Sequence, residues 1–158
     1  MIDDIDRQIL TILQDNARTS NAEIARQVGM APSAILERLR KLEERGVIEG
    51  YVARVNPDAL GLTLTAFVFV RADERAGAVA TAERLAEIDE VQEVHHVAGE
   101  DCFLVKVRTA GTRALGELLR EKFGAIDTIR STRSTIVMET IKESWTLHAS
   151  GGGNDADA

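Results

Sequence analysis

The chain has 158 residues, of which 44% are hydrophobic and 28% charged, a composition typical of globular proteins rather than disordered chains. This length suits one ordinary domain or two small ones. The formal net charge of −7 means that any DNA binding requires positive charge concentrated on one surface. One cysteine, Cys102, excludes an intrachain disulfide framework, and no apolar run approaches the roughly 18–20 residues of a membrane span. The acidic, amphipathic N-terminus is unlike a signal peptide, so we expect a cytoplasmic protein.

A first helix is predicted over residues 3–15. Its start is acidic, which suits the positive end of the helix dipole, and the residues concerned are Asp3, Asp4 and Asp6. Its apolar residues recur at helical spacing and form one stripe of Ile5, Ile9, Ile12 and Leu13. We interpret this helix as a brace that supplies a core for the two helices that follow.

Two short helices joined by a turn are predicted in the stretch SNAEIARQVGMAPSAILERLRKLEER. Ser20 precedes Glu23 by three residues, which is the spacing of a capping box at a helix start. Gly29 falls where the first of these helices ends and the backbone needs a positive φ. The offsets between Ala25, Gly29 and Ile35 favour a helix-turn-helix, in which a small residue lies where the two helices cross. A plain αα-hairpin inside a bundle is the alternative.

The second helix of this pair has one apolar face, and its opposite face suits DNA. The apolar face consists of Ile35, Leu39 and Leu42. The opposite face carries Ser33, Ala34, Glu37, Arg38 and Lys41, with Arg40 and Arg45 nearby. Small residues let a helix approach a groove, while Arg and Lys reach phosphates or guanine edges. The alternative is an ordinary solvated charged face, because five Lys and Arg side chains between Arg26 and Arg45 stand against three Glu.

A change of apolar period after Gly46 predicts a short hairpin, or wing. Its apolar residues are Val47, Ile48, Tyr51, Val52 and Val55, and its turn is Glu49-Gly50. Asn56-Pro57 ends this hairpin, and residues 57–61 are predicted to be a hinge to a second domain. We therefore expect residues 1–60 to form a winged helix-turn-helix DNA-binding domain.

Residues 61–145 predict the order β-α-β-β-α-β of a ferredoxin-like domain, so the whole chain is expected to be α+β. The strands are predicted at 62–71, 91–97, 102–108 and 132–141, and the helices at 78–88 and 112–123. The first strand is apolar on both faces, while two helices cover only one face of a sheet. A second copy in a two-fold dimer would cover the other face, unless that face is simply exposed. Residues 146–158 are expected to be mostly a disordered tail.

The chain resembles the Lrp/AsnC family, also called the leucine-responsive or feast/famine transcription factors, from about Ile2 to Lys142. The resemblance is carried in the N-terminal half by DDIDRQILTILQDNARTS and IARQVGMAPSAILERLRKLEERGVIEGYVARVNP, and in the C-terminal half by VAGEDCFLVKV and TRSTIVMETIK. It implies an N-terminal DNA-binding domain, a C-terminal amino-acid-sensing domain and an amino acid bound between sensing domains. It also implies a homodimer that assembles further into a tetramer or octamer.

The resemblance also implies which residues bind the partners. The positions indicated for DNA, with two cations from the charge pattern, are Arg26, Ser33, Ala34, Leu36, Glu37, Arg38, Arg40 and Lys41. The positions indicated for an effector are Gly99, Glu100, Asp101, Cys102, Thr132 and Ser134. The family often has Ser where Ala31 stands, and Asp where Cys102 stands, with the acid here one position earlier.

We expect a sequence-specific, nucleoid-associated transcriptional regulator that responds to an amino acid or a related small metabolite and needs no cofactor. The alternative is a DNA-architectural protein whose second domain only oligomerises. An enzyme is not expected, because no paired catalytic groups stand out in the sequence. A metal site is not expected either, because His95 and His96 are adjacent on a predicted strand, so only one of them can face Cys102.

Overall fold

The computed structural model describes residues 2–75, 78–99 and 102–148, which form two compact units. The first unit contains the chain up to Ala53 together with the segment from Lys142, and the second unit is Arg54–Ile141. The division therefore falls earlier than the boundary predicted after residue 60. Residues 146–148 belong to the first unit, and the remainder of the predicted tail lies outside the described residues.

Three helices build the first unit: α1 (Asp4–Asp15), α2 (Asn21–Val28) and α3 (Pro32–Glu44). The predicted cap of α2 is present, since the Ser20 hydroxyl accepts the Glu23 amide at 3.2 Å. The second hydrogen bond of a capping box, from the Ser20 amide to the Glu23 carboxylate, is replaced, because Arg26 and Gln27 donate to that carboxylate instead. Gly29 ends α2 at φ 72°, the left-handed conformation that its position predicted.

The core of the first unit is the predicted one. Its buried apolar residues are Ile9, Leu13, Ile24, Ala25, Ile35, Leu39 and Leu42. Ala25 is 3% exposed, as expected of the small residue predicted at the helix crossing. The apolar stripes of the three helices therefore meet in one cluster, which leaves the opposite face of α3 to solvent.

The wing hairpin predicted for residues 47–55 is absent from the described part of the chain. The backbone of Val47 and Ile48 is already occupied, because both amides donate to the Leu42 carbonyl at the end of α3. The following residues, 49–56, belong to no helix or strand, and Val52 remains 87% exposed. A strand needs a partner for its backbone groups, and a two-stranded hairpin alone is marginal in water.

The second unit is a four-stranded antiparallel sheet with two helices. Its elements are β1 (Leu64–Ala72), α4 (Ala80–Ala86), β2 (Val91–His96), β3 (Phe103–Thr109), α5 (Thr112–Glu117, continued by a π-helical segment Leu118–Phe123) and β4 (Ile129–Ile136). The strand order is β2-β3-β1-β4, which confirms the ferredoxin-like arrangement. A short 3₁₀ turn, Pro57–Leu60, occupies the predicted hinge.

The last strand lies earlier than the predicted 132–141. β4 pairs with β1 from Ile129 opposite Ala72 to Ile136 opposite Ala66, and Val137 makes one more hydrogen bond to Thr65. Because β1 begins at Leu64, the residues after Val137 find no partner on it. Residues 138–141 are therefore outside the sheet, and Met138 is 94% exposed.

The two faces of the sheet differ in what covers them. On the helix side, Ala66, Val68 and Val70 of β1 are fully buried. On the other side, which we call the free face, Phe67 and Phe69 are only half-buried. The predicted two-sided apolarity of β1 is thus confirmed, and within a single copy one of its sides lacks a cover.

Candidate DNA-binding and effector sites

The residues predicted to contact DNA lie on the solvent side of α3, except for Arg26, which lies on α2. Burial of Ile35, Leu39 and Leu42 turns the other side of the helix outward. The exposed predicted residues are Ser33, Leu36, Glu37, Arg40 and Lys41, while Ala34 and Arg38 are partly buried. Leu36 is 60% exposed and places a large apolar side chain within this charged face.

The N-terminus of α3 has no side-chain cap. Ala31 occupies the N-cap position and makes no side-chain hydrogen bond, as its sequence predicts. The amides of Ala34 and Ile35 both donate to the Ala31 carbonyl, at 3.0 and 3.2 Å. Pro32 at the first helical position compensates in part, because it has no amide that needs a partner.

Three exposed cations of the predicted DNA surface are paired with neighbouring carboxylates. Lys41 contacts Glu37 at 2.8 Å, and Arg40 contacts Glu44 at 2.6 Å, each one turn apart on α3. Arg26 contacts Glu23 at 2.6 Å on α2, and hydrogen bonds from Arg26 and Gln27 lower the pKa of the Glu23 carboxyl to about 2. Exposed pairs of this kind are weak, so their cations can exchange a carboxylate for a phosphate.

Arg38 has a different environment from these three cations. Its Nη1 atom donates to Asp3 Oδ2 and to Asp6 Oδ1, both at 2.7 Å. Asp3 is the N-cap of α1 and forms a capping box with Asp6, so the cap of α1 and the middle of α3 are joined. These hydrogen bonds raise the pKa of Arg38, while the Asp6 amide and Arg38 lower the pKa of Asp3. We call this set of three residues the acidic clamp.

The acidic clamp includes two residues that the sequence analysis assigned only to the helix dipole. Asp6 is 7% exposed, which is unusual for a carboxylate and requires a partner. The signal was present in the sequence, because acids three residues apart at a helix start can form a capping box. The cation that completes the set is 32 residues further on, and only the packing of α3 against α1 identifies it.

An open groove of about 310 Å³ lies along α3. It is lined by Asp6, Ala34, Glu37, Arg38, Lys41, Leu42 and Arg45. A larger groove of about 580 Å³ lies between α1, α2 and residues 146–148. There the Gln14 side-chain amide binds the backbone of Leu147 through both of its ends, at 2.9 and 2.6 Å. Neither groove was predicted from the sequence.

The turn predicted to bind an effector, residues 99–102, is described in part. Gly99 has φ 137°, a backbone conformation that suits glycine, while Glu100 and Asp101 lie outside the described residues. After the turn, the Cys102 amide donates to the Val70 carbonyl at 2.9 Å. The Cys102 sulfur also lies 3.5 Å from the Ala72 amide and 3.4 Å from its carbonyl oxygen. Cys102 thus anchors the turn to the end of β1.

The predicted hydroxyl residues lie on the far side of β1 from this turn. Thr132 pairs with Val70 and Ser134 with Val68, so both belong to the helix side of the sheet, where they are exposed. Two strand spacings, roughly 10 Å, separate Thr132 from the start of β3. Ser134 is about 7 Å further along its strand. The structure therefore brings the turn and Thr132 to one end of the sheet, with Ser134 more distant.

The free face has an apolar centre with charged neighbours. The Arg133 guanidinium lies 4.1 Å above the Phe69 ring, and Lys106 contacts Glu93 at 3.0 Å. Burial alone would raise the pKa of Glu93, but hydrogen bonds from Lys106 and His95 outweigh it and lower that pKa. Arg133, Lys106 and Glu93 therefore already have partners within one copy.

His95 and His96 face opposite sides of the sheet, as predicted. His95 lies 3.2 Å from Glu93 on the free face, whereas the His96 ring is 5.4 Å from that of Phe103 on the helix side. Within the described residues, no group of three or more His, Cys, Asp or Glu is arranged to hold a metal ion. No helix in those same residues combines the length and the apolar character needed to cross a membrane.

Both halves of the chain match known families. Residues 2–49 match the family described as winged helix-turn-helix DNA-binding, and residues 65–147 match the Lrp/AsnC ligand binding domain. The chain is 40% identical over 139 residues to the HTH-type transcriptional regulator LrpA of Mycobacterium tuberculosis, covering 88% of this chain and 91% of that protein. It is 38% identical over 145 residues to the leucine-responsive regulatory protein of Escherichia coli, covering 90% and 88%.

Solved structures with the same fold include amino-acid complexes. A feast or famine regulatory protein from M. tuberculosis complexed with L-methionine has a TM-score of 0.85 and 37% identity, covering 93% of this chain and 99% of that one. A transcriptional regulator from Neisseria meningitidis in complex with L-methionine has a TM-score of 0.86 and 27% identity, covering 93% and 96%. E. coli AsnC has a TM-score of 0.86 and 32% identity, covering 94% and 99%.

Proposed function

We propose that this chain, which belongs to the Lrp/AsnC family of transcriptional regulators, binds double-stranded DNA through the exposed face of α3 and changes its DNA binding when an amino acid occupies the sensing domain. As a member of that family it is a DNA-binding regulator and not an enzyme. No cofactor forms part of the proposal. The site of action is chromosomal DNA in the cytoplasm.

The observation that carries the DNA-binding proposal is the composition of the exposed α3 face. Ser33 and Ala34 are small, so the start of the helix can approach the floor of a major groove. Leu36 presents an apolar side chain that fits against a thymine methyl group. Arg40 and Lys41 follow, and both can exchange their intrahelical carboxylates for phosphates.

A symmetric dimer makes this binding effective despite the net charge of −7. One α3 helix offers few cations, whereas two copies double the number of phosphate contacts and therefore the salt dependence of binding. We propose that the two copies meet through the free face, because Phe67 and Phe69 there are half-buried in one copy. Further assembly into a tetramer or octamer is part of this proposal.

The proposed effector is an amino acid held near the turn after β2 and the exposed hydroxyl of Thr132. A zwitterion needs donors for its carboxylate and acceptors for its ammonium group. Backbone amides around Gly99 can supply donors, and Thr132 can donate or accept. Methionine is the first amino acid to test, because two proteins of similar structure are complexed with L-methionine.

Selection from a pool of random DNA duplexes tests the DNA-binding proposal. We expect the full chain to enrich one sequence with two related half-sites about one helical turn apart, as two copies of α3 require. Leu36→Ala should then lose discrimination at a thymine position while keeping its affinity for unrelated DNA. Enrichment of no sequence by the folded protein would contradict sequence-specific binding.

A thermal-shift panel of the twenty amino acids tests the effector proposal. A ligand present at about 100 times its dissociation constant stabilises the folded state by about 2.7 kcal/mol, which is a clear rise in melting temperature. Thr132→Val keeps the shape of the side chain and removes its hydroxyl, so it should reduce the response. Ser134→Val is the matched control on the same strand, and we expect a smaller effect there.

A further inference from the structure

We propose that Arg38 is a positioning residue, which sets the orientation of α3 through the acidic clamp, rather than a side chain that contacts DNA. This inference rests on the proposed DNA-binding function and assigns a role within it. It differs from the role that sequence resemblance indicates for Arg38, which places this residue among those facing DNA. Asp3 and Asp6, whose negative charge opposes DNA, thereby become residues that DNA binding requires.

The geometry explains why Arg38 is not available to DNA. Its guanidinium is bound by two carboxylates at 2.7 Å each, and its side chain is 28% exposed. Charge-assisted hydrogen bonds of this length are about twice as strong as neutral ones. Arg40 and Lys41, by contrast, are 60% and 57% exposed, and each has one carboxylate partner. Among these cations, Arg38 would lose the most hydrogen-bond energy by turning towards a phosphate, because it would give up two carboxylate partners.

The acidic clamp restrains small rotations of α3, which the apolar core alone defines less sharply. The buried stripe of α3 fixes which face of the helix points outward, but apolar contacts are not directional, so they hold that orientation less sharply than hydrogen bonds do. Hydrogen bonds are directional, and these two tie the middle of α3 to the N-cap of α1. Correct rotation of α3 decides which side chains reach base edges, so losing it should damage sequence-specific binding first.

Charge-neutral variants distinguish positioning from contact, because the two roles predict opposite signs for Asp6→Asn. If Arg38 contacts DNA, this change releases Arg38 and removes a negative charge, so binding becomes equal or tighter. If Arg38 positions α3, the same change loosens the helix, and specific binding becomes weaker. Asp4→Asn is the matched control, since it removes one charge from the same helical turn without touching Arg38.

The experiment measures dissociation constants of the full chain for two labelled duplexes between roughly 50 and 200 mM KCl. One duplex is the sequence enriched from the random pool, and the other is a scrambled duplex of equal length and composition. We expect Asp6→Asn and Arg38→Gln each to weaken binding to the enriched duplex about tenfold, with much less effect on the scrambled one. We expect the double variant to be no weaker than either single variant.

Two further readouts separate positioning from phosphate contact and from loss of folding. A lost phosphate contact lowers the slope of log K against log salt by about 0.9, whereas Arg38→Gln should leave that slope unchanged. Arg38→Lys should retain more specific binding than Arg38→Gln, because one ammonium can replace the single Nη1 atom that serves both carboxylates. Partial unfolding would instead weaken binding to both duplexes by the same factor. Asp3→Asn, at a position whose side chain is 52% exposed, is the milder variant if Asp6→Asn fails to fold.

The outcomes that overturn the inference are distinct from failure of the proposed function. Equal or tighter binding by Asp6→Asn or Asp3→Asn, or a reduced salt slope in Arg38→Gln, shows that Arg38 contacts DNA. Equal weakening on both duplexes shows a role in folding alone. A folded wild-type chain that enriches no duplex removes the proposed function itself, together with the inference that depends on it.

Discussion

Substitution by alanine at two adjacent residues of α3 should have very different effects on the free energy of unfolding. Ile35 is fully buried, whereas Leu36 is 60% exposed. Ile35→Ala removes three buried carbon atoms, which forfeits about 2.4 kcal/mol of transfer free energy. The cavity left behind brings the total cost to roughly 2.5–5 kcal/mol. Leu36→Ala leaves no cavity, so the change in unfolding free energy should stay within about 0.5 kcal/mol.

The first unit is small, so the loss at Ile35 is large relative to its whole stability. A domain of this size is stable by roughly 3–8 kcal/mol, and each kcal/mol lowers the melting temperature of a small domain by about 4–8 °C. Ile35→Ala should therefore lower the melting temperature of the first unit by at least about 10 °C. The second unit has its own core around Val68 and Val105 and should melt as before.

Circular dichroism melts, followed by binding to the enriched duplex, measure both effects. Ile35→Ala should unfold the first unit at a lower temperature than the wild type and lose DNA binding as that unit unfolds. Leu36→Ala should melt like the wild type and lose only sequence discrimination. A destabilised Leu36→Ala, or an Ile35→Ala that melts like the wild type, would show that the buried and exposed faces of α3 are assigned wrongly.

Three other predictions concern a cap, an ion pair and the free face. Ala31→Ser should stabilise the first unit by about 1 kcal/mol in urea denaturation, because it supplies the missing cap of α3. The pKa of Glu23 is lowered in the folded state from 4.5 to about 2, so the ionised carboxylate stabilises the fold fully above about pH 4.5 and progressively less as the pH falls towards 2. In acid unfolding, Glu23→Gln should therefore lose less stability than the wild type between those two pH values. Phe67→Asp should dissociate the proposed dimer, as measured by light scattering, whereas Ala86→Asp, on an exposed part of α4, should leave it intact. If Phe67→Asp remains a dimer, the interface lies elsewhere.

Local signals in the sequence were enough for much of the fold. Ser20, Gly29 and Pro32 mark helix ends through the chemistry of a few neighbouring residues, and the structure has those ends where they were predicted. The alternating pattern of β1 likewise predicted two apolar faces. The winged helix-turn-helix class is confirmed by the family match over residues 2–49, but the two strands predicted within 47–55 are not formed, because the Val47 and Ile48 amides donate to the Leu42 carbonyl. The end of β4 was predicted too late, because a strand continues only where a partner strand is available, and the local sequence does not show where β1 begins.

The sequence by itself determined the three-helix core, the ferredoxin-like order and the face of α3 that points outward, because helical and strand periods decide which side chains can be buried together. The environment of Arg38 was decided only by tertiary structure. Sequence position places this residue among the cations of the exposed face, beside Arg40 and Lys41. Packing of α3 against α1 brings it to within 2.7 Å of Asp3 and Asp6, residues more than thirty positions away in the chain. The availability of a charge depends on which groups surround it in space, and those groups come from elements that the local pattern does not describe.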